Sequence, residues 1–227
     1  MSANTQKNVN LQDVKLQDVK LQDVKLQDVE FADFRHDFAI IAGWLPFGAK
    51  VLDLGCGDGA LLRYLKASLE VRGYGVEKDD ANWLACMSSG INVIQMDLEA
   101  GLSGFEDQSF DTVILSQTLQ AMHNTEDIVR EMLRVGREVI VTFPNFGYWR
   151  HRVQLIQGQM PVSKNLPYQW YNTPNVHLCT INDFDQFCVN CNIKVKERLV
   201  LTDNKPVTFM PNLMGSLAMY RLENNTL

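Results

Sequence analysis

Nine consecutive residues, Val51-Leu52-Asp53-Leu54-Gly55-Cys56-Gly57-Asp58-Gly59, combine two carboxylates with glycines at alternate positions. Such glycines let the backbone turn through positive φ and let a ligand approach it closely. Ala60 to Lys66 then read as the first turns of a helix, whose unpaired N–H groups suit an anion. Further polar groups close the next apolar runs: Glu77 ends one, Asp97 a second, and Ser116 with Gln117 a third. A single acid at a strand end is commonplace as a cap or solvated turn. Asp53, Glu77 and Asp97 at three successive strand ends point instead to one ligand offering several hydrogen-bond donors.

Three readings of the glycine stretch compete. Gly55-x-Gly57-x-x-Ala60 matches the dinucleotide fingerprint, with Glu77 near the expected place for a ribose-binding acid. A pyrophosphate, however, would meet the added negative charge of Asp53 and Asp58. S-adenosylmethionine carries no phosphate; it presents an ammonium, a sulfonium and a carboxylate, which suit acids beside a helix N-terminus. In that reading Glu77 accepts both ribose hydroxyls, and Asp97 accepts from the adenine amino group. In the third reading the glycines serve only a tight turn. The acids favour the sulfonium ligand.

These residues need a sheet to position them. Phe34, Phe38, Ile41 and Leu45 have helical spacing and end before Pro46. Strands are expected over Lys50–Leu54, Val71–Val76, Ile91–Met96, Phe110–Leu115 and Glu138–Phe143. Helices are expected from Ala60 to about Leu69, Asp80 to Ser89, Thr125 to Arg134, Trp149 to Gln157 and Asn182 to Cys191. Strands alternating with helices predict a parallel sheet covered on both faces. Lys194–Leu201 and Ser216–Leu222, with no obvious helix between them, predict an antiparallel hairpin at one edge.

The chain has 227 residues, 46% of them hydrophobic, and a formal net charge of −6. That suits one α/β domain with a full core and disfavours non-specific nucleic-acid binding. Apolar runs such as Val139–Phe143 are too short to span a membrane. The polar N-terminus lacks a secretory h-region, and five cysteines do not suggest a disulfide framework, so a cytoplasmic protein is expected. Residues 11–25 repeat Leu-Gln-Asp-Val-Lys three times, and Leu26–Glu30 varies it once more. A period of five keeps no stripe on a helix and flips faces on a strand. Residues 1–30 therefore read as a low-complexity tail, and 31–227 as the domain.

Other chemistry-bearing residues carry less weight. His36, His123, His151 and His177 are acid–base candidates, His36 being best placed for a pocket mouth. No Asn/Asp-Pro-Pro-aromatic string follows the strand expected over Phe110–Leu115. Trp149-Arg150-His151-Arg152 with Lys164 reads either as a solvated helix face or as a partner-docking cluster. The segment 159–180, with Tyr168, Trp170 and Tyr171, is long for a loop and could cover the pocket or meet a partner. Cys188-x-x-Cys191 has metal-like spacing, but no second such pair follows, and packed cysteines are expected instead of a metal site.

From about Phe31 to Leu222 the chain resembles class I S-adenosylmethionine-dependent methyltransferases, on Val51–Gly59, Gly75-Val76-Glu77, Gln95-Met96-Asp97-Leu98 and Phe110–Ser116. It is more narrowly similar to the methionine biosynthesis protein W family. The strings that carry this include Arg35-His36-Asp37-Phe38, Leu115–Gln120, Phe143-Pro144-Asn145-Phe146-Gly147 and Leu166–Tyr171. The resemblance implies a Rossmann-like class I methyltransferase fold, with a mostly parallel seven-stranded sheet and an antiparallel edge hairpin. It implies S-adenosyl-L-methionine or S-adenosyl-L-homocysteine held by Asp53, Gly55, Cys56, Gly57, Glu77, Lys78, Asp97, Leu98 and Ser116. It further implies partnership with homoserine O-acyltransferase in homoserine acylation. The family implies no methyl acceptor, so an accessory or ligand-sensing subunit stands beside an active small-molecule methyltransferase.

Overall fold

The computed structural model describes residues 36–225; the repeat over 1–30 and Arg35 lie outside them. The chain runs α1 (His36–Trp44), β1 (Lys50–Leu54), α2 (Ala60–Leu69), β2 (Arg72–Glu77), α3 (Asp80–Ser88), β3 (Asn92–Gln95), β4 (Phe110–Ser116), α4 (Thr125–Val135), β5 (Gly136–Pro144), α5 (Trp149–Ile156), α6 (Ile181–Asn190), β6 (Ile193–Thr202), β7 (Lys205–Pro206), α7 (Pro211–Met214) and β8 (Leu217–Asn224). The sheet order is β3-β2-β1-β4-β5-β8-β6-β7. β1 to β5 pair in parallel, while β8 is antiparallel to both β5 and β6.

The expected antiparallel edge forms, with one strand more than the seven expected. The eighth, β7, is two residues long and pairs antiparallel with β6 through Leu201–Pro206 and Thr202–Lys205. Two residues are too few for an alternating pattern, so nothing in the sequence announces it. β5 also runs one residue past its expected end: Pro144 still pairs with Leu217.

Apolar residues of both sheet faces make two cores. One packs Ile128, Val129, Met132 and Leu133 of α4, and Phe184 of α6, against β4, β5 and β8. The other packs Phe38, Ile41 and Trp44 of α1, and Leu61, Leu62 and Leu65 of α2, against Val51, Ile114 and Ile140. Each fully buried leucine or isoleucine contributes about 1.5–3 kcal/mol of apolar burial. α6 starts with a reciprocal capping box between Thr180 and Asp183.

Candidate functional site

β1 has β2 on one side and β4 on the other, so the strand order reverses beside it. In open α/β sheets such a reversal opens a crevice outside the carboxyl ends of the strands. The register aligns those ends: Asp53 lies beside Gly75 and Ile114, Glu77 beside Gln95, and Ser116 beside Thr142.

The glycine loop leaves β1 with Gly55, Gly57 and Gly59 at φ of 68°, 56° and 78°. The three do different work. A Cβ on Gly55 would lie 2.8 Å from Thr118 Cγ2, so Gly55 permits close packing across the crevice. Nothing lies within 4 Å of a Cβ built on Gly57, whose positive φ leaves open space over the loop. Gly59 opens α2 from the left-handed region.

Hydrogen bonds tie the loop to β2. Gly55 and Cys56 N–H both donate to the Val76 carbonyl, at 2.8 and 3.1 Å. Glu77 is buried, and its carboxylate accepts from Gly57 N–H at 2.8 Å and from Lys78 and Asp79 N–H at 2.9 Å each. A carboxylate has about four acceptor positions, so Glu77 retains capacity for about one more strong bond rather than for two hydroxyls. Asp53 is 2% exposed. Its charge reaches the loop: after burial itself, Asp53 is the largest influence raising the Cys56 thiol pKa.

Asp58 differs from its sequence reading. It is exposed, pairs with Arg63 at 3.1 Å and caps Ala60 N–H. Arg63, five residues on and one helical turn away, offsets its charge. The bias against pyrophosphate therefore rests mainly on Asp53 and Glu77.

Lys78 and Asp97 face each other at 3.9 Å across a cleft of about 580 Å³ that Asp79, Gln95 and Met96 also line. Asp97 does not simply end a strand. β3 stops at Gln95, and Asp97 caps a 3₁₀ turn over Leu98–Ala100 by accepting from Glu99 N–H. The Leu98 side chain joins the core. Ser116 Oγ lies 3.2 Å from Thr142 Oγ1, which also accepts from Gln117 N–H. Gln117, left-handed at φ 54°, donates from Nε2 to Asp37 Oδ2 at 3.3 Å. This draws the start of α1 to the end of β4. Asp37, Thr118 and Thr142 lie beyond the expected set, because no local pattern links residues 26 to 80 positions apart.

The histidines scatter. His36 stands half-buried beside Asp37 at the start of α1. His151 is fully buried at the start of α5, with Nε2 2.9 Å from Ser163 Oγ, and burial lowers its pKa. His177 Nε2 sits 3.2 Å from the His123 carbonyl. Cys188 packs into the core with Phe184, where burial pushes its thiol up to about 12. Among the described residues no three His, Cys, Asp or Glu side chains gather to hold a metal ion, and no helix is long and apolar enough to cross a membrane.

Residues 35–222 match the model of the family described as methionine biosynthesis protein MetW. The chain belongs to that family. A curated MetW relative, the bifunctional methionine biosynthesis protein MetXA/MetW of Rhodopirellula baltica, is 40% identical over 165 residues. That match takes in 68% of this chain and 26% of the relative, so the chain spans about a quarter of its length. Among solved structures, an S-adenosylmethionine-dependent methyltransferase from Mesorhizobium loti aligns with a TM-score of 0.62 at 17% identity, over 84% of this chain and 98% of that one. The [4+2]-cyclase SpnF aligns with a TM-score of 0.60 at 14% identity, over 82% and 80%. The fold of this MetW chain is thus that of the class I methyltransferases.

Proposed function

We propose that this chain binds S-adenosyl-L-methionine or S-adenosyl-L-homocysteine at the carboxyl edge of β1 to β4, and acts with a homoserine O-acyltransferase to support homoserine acylation. The residues fit the ligand's chemistry. Buried Asp53 and Glu77 supply negative charge for a cationic ligand, Glu77 keeps room to accept about one of its hydroxyls, and the open space over Gly57 admits it. Lys78, Asp97 and the backbone at Leu98 would border the adenine, and Ser116 the crevice beside β4. When bound, S-adenosylmethionine brings a sulfonium with a transferable methyl group. The chain's own residues bind, orient and screen it.

The observation that carries the partnership is the curated relative, in which MetXA and MetW share one bifunctional chain. A class I fold does not by itself assign methyl transfer, since the [4+2]-cyclase SpnF shares it. We therefore place an accessory or ligand-sensing role first and an active small-molecule methyltransferase second.

Calorimetric titration with S-adenosylhomocysteine tests the ligand. Binding by the parent, at least about tenfold weaker in Asp53→Ala, supports the reading. No heat at millimolar ligand, or an unchanged Asp53→Ala, removes it. Homoserine acylation by the acyltransferase, assayed with and without this chain, tests the role; labelled methyl incorporation into a small acceptor, with no effect on acylation, would favour the methyltransferase.

A further inference from the structure

The glycine loop also holds a thiol that meets a second one. Cys56 Sγ lies 3.8 Å from Cys86 Sγ on α3, and both residues are buried. Cys86 S–H donates to the Gly57 carbonyl at 3.1 Å, so this thiol also supports the loop. Two glycines make room for the sulfurs: a Cβ on Gly75 would lie 2.5 Å from Cys56 Sγ, and one on Gly59 would lie 3.0 Å from Cys86 Sγ. The pair joins a loop proposed to touch ligand to a helix that the sequence places 30 residues away.

We propose that Cys56 and Cys86 form a modification site: a reversible disulfide, made by hydrogen peroxide, that closes the ligand loop. One thiol takes an oxygen atom from the peroxide, giving a sulfenic acid and releasing water. The second thiol then attacks that sulfur, the S–S bond forms, and its proton leaves with the hydroxyl as a second water. The two thiols lose two electrons, and the peroxide O–O bond gains them. Two thiols, or one dithiol, return the pair to its reduced state by exchange through a mixed disulfide and leave as a disulfide.

Closure changes the loop. A disulfide needs sulfurs about 2.05 Å apart, so they must approach by about 1.8 Å. Cys56 is held by the Val76 carbonyl, and the Cys86 carbonyl holds Ile91 N–H at 3.0 Å. Drawing the two together therefore strains the neighbouring Gly57–Glu77 bond, and oxidation removes the S–H that supports Gly57. Burial disfavours both thiolates; Asp53, Cys86 and Glu77 add to this at Cys56, while at Cys86 Asp58 and Glu77 add to it and the hydrogen bond with Cys56 and the Arg63 charge oppose it. Because the thiolate is the nucleophile, the pair reacts slowly at neutral pH and faster as pH rises.

This inference rests on the proposed ligand reading, and one experiment separates the two. The full chain is treated with hydrogen peroxide at mildly alkaline pH, alkylated and digested, while a parallel sample is titrated with S-adenosylhomocysteine. A peptide joining Cys56 to Cys86 is expected, with affinity at least about tenfold weaker, restored by dithiothreitol. Cys86→Ser, or Cys86→Ala if the serine form folds poorly, should show neither the cross-link nor the oxidative loss. Absence of the joined peptide overturns the proposal. So does a cross-linked protein of unchanged affinity, or an oxidative loss that persists in the Cys86 variants. If reduced parent protein binds no ligand, the ligand reading and the switch fall together, while the peptide map still decides whether the bond forms.

Discussion

Glu77 is the residue on which the ligand edge turns. Its carboxylate accepts three backbone N–H groups, one from the glycine loop and two from the turn into α3. Glu77→Gln keeps the shape but replaces one acceptor oxygen with a donor that faces N–H groups. Leaving a buried donor unsatisfied costs about 1–3 kcal/mol. Glu77→Gln is thus expected to melt several degrees lower and to bind S-adenosylhomocysteine more weakly, in thermal unfolding and calorimetry. Asp58, by contrast, is exposed and offset by Arg63. From the sequence the two acids of the glycine stretch carry equal weight; burial separates them.

At the scale of elements, the turn after β5 shows how a motif can serve the fold. Phe143-Pro144-Asn145-Phe146-Gly147 is one of the strings that carry the family resemblance. Asn145 is fully buried. Its Nδ2 donates to the carbonyls of Asn212 and Gly215 at 3.0 and 2.7 Å, and its Oδ1 accepts from Gly147 N–H at 2.9 Å and Ile181 N–H at 3.3 Å. One side chain thus joins the end of β5 to α6, α7 and the approach to β8. Asn145→Ala would strand several buried groups at once and lower stability by about 3 kcal/mol, with Asn145→Asp intermediate, as chemical denaturation would measure. The string was legible as a motif, but its distant partners were not, because Ile181, Asn212 and Gly215 lie 36 to 70 residues further on.

At the scale of the whole molecule, α5 is largely exposed, His151 being its one buried residue. Ile156 is 86% exposed and Trp170 72% exposed, while the Arg150 guanidinium lies 5.5 Å from the Trp149 ring. Exposed Trp, Tyr and Arg are common interface anchors. If the proposed acyltransferase docks here, changing Arg150 and Trp170 together to Ala should leave unfolding unchanged and weaken co-purification with that enzyme by about tenfold or more. A double variant that co-purifies as well as the parent would exclude these two residues as docking anchors.

The sequence by itself determined the parallel sheet, its antiparallel edge and the acids Asp53 and Glu77 at two strand ends, with Asp97 just beyond a third. These follow from alternation, glycine turns and caps, which act within a few residues. Only the tertiary structure decided that Asp58 is offset while Asp53 is buried, that Asp37 reaches Gln117, that Cys56 meets Cys86, and that a two-residue strand completes the edge. Most of these depend on packing and on which distant residue the sheet order brings alongside, and local spacing carries no record of that.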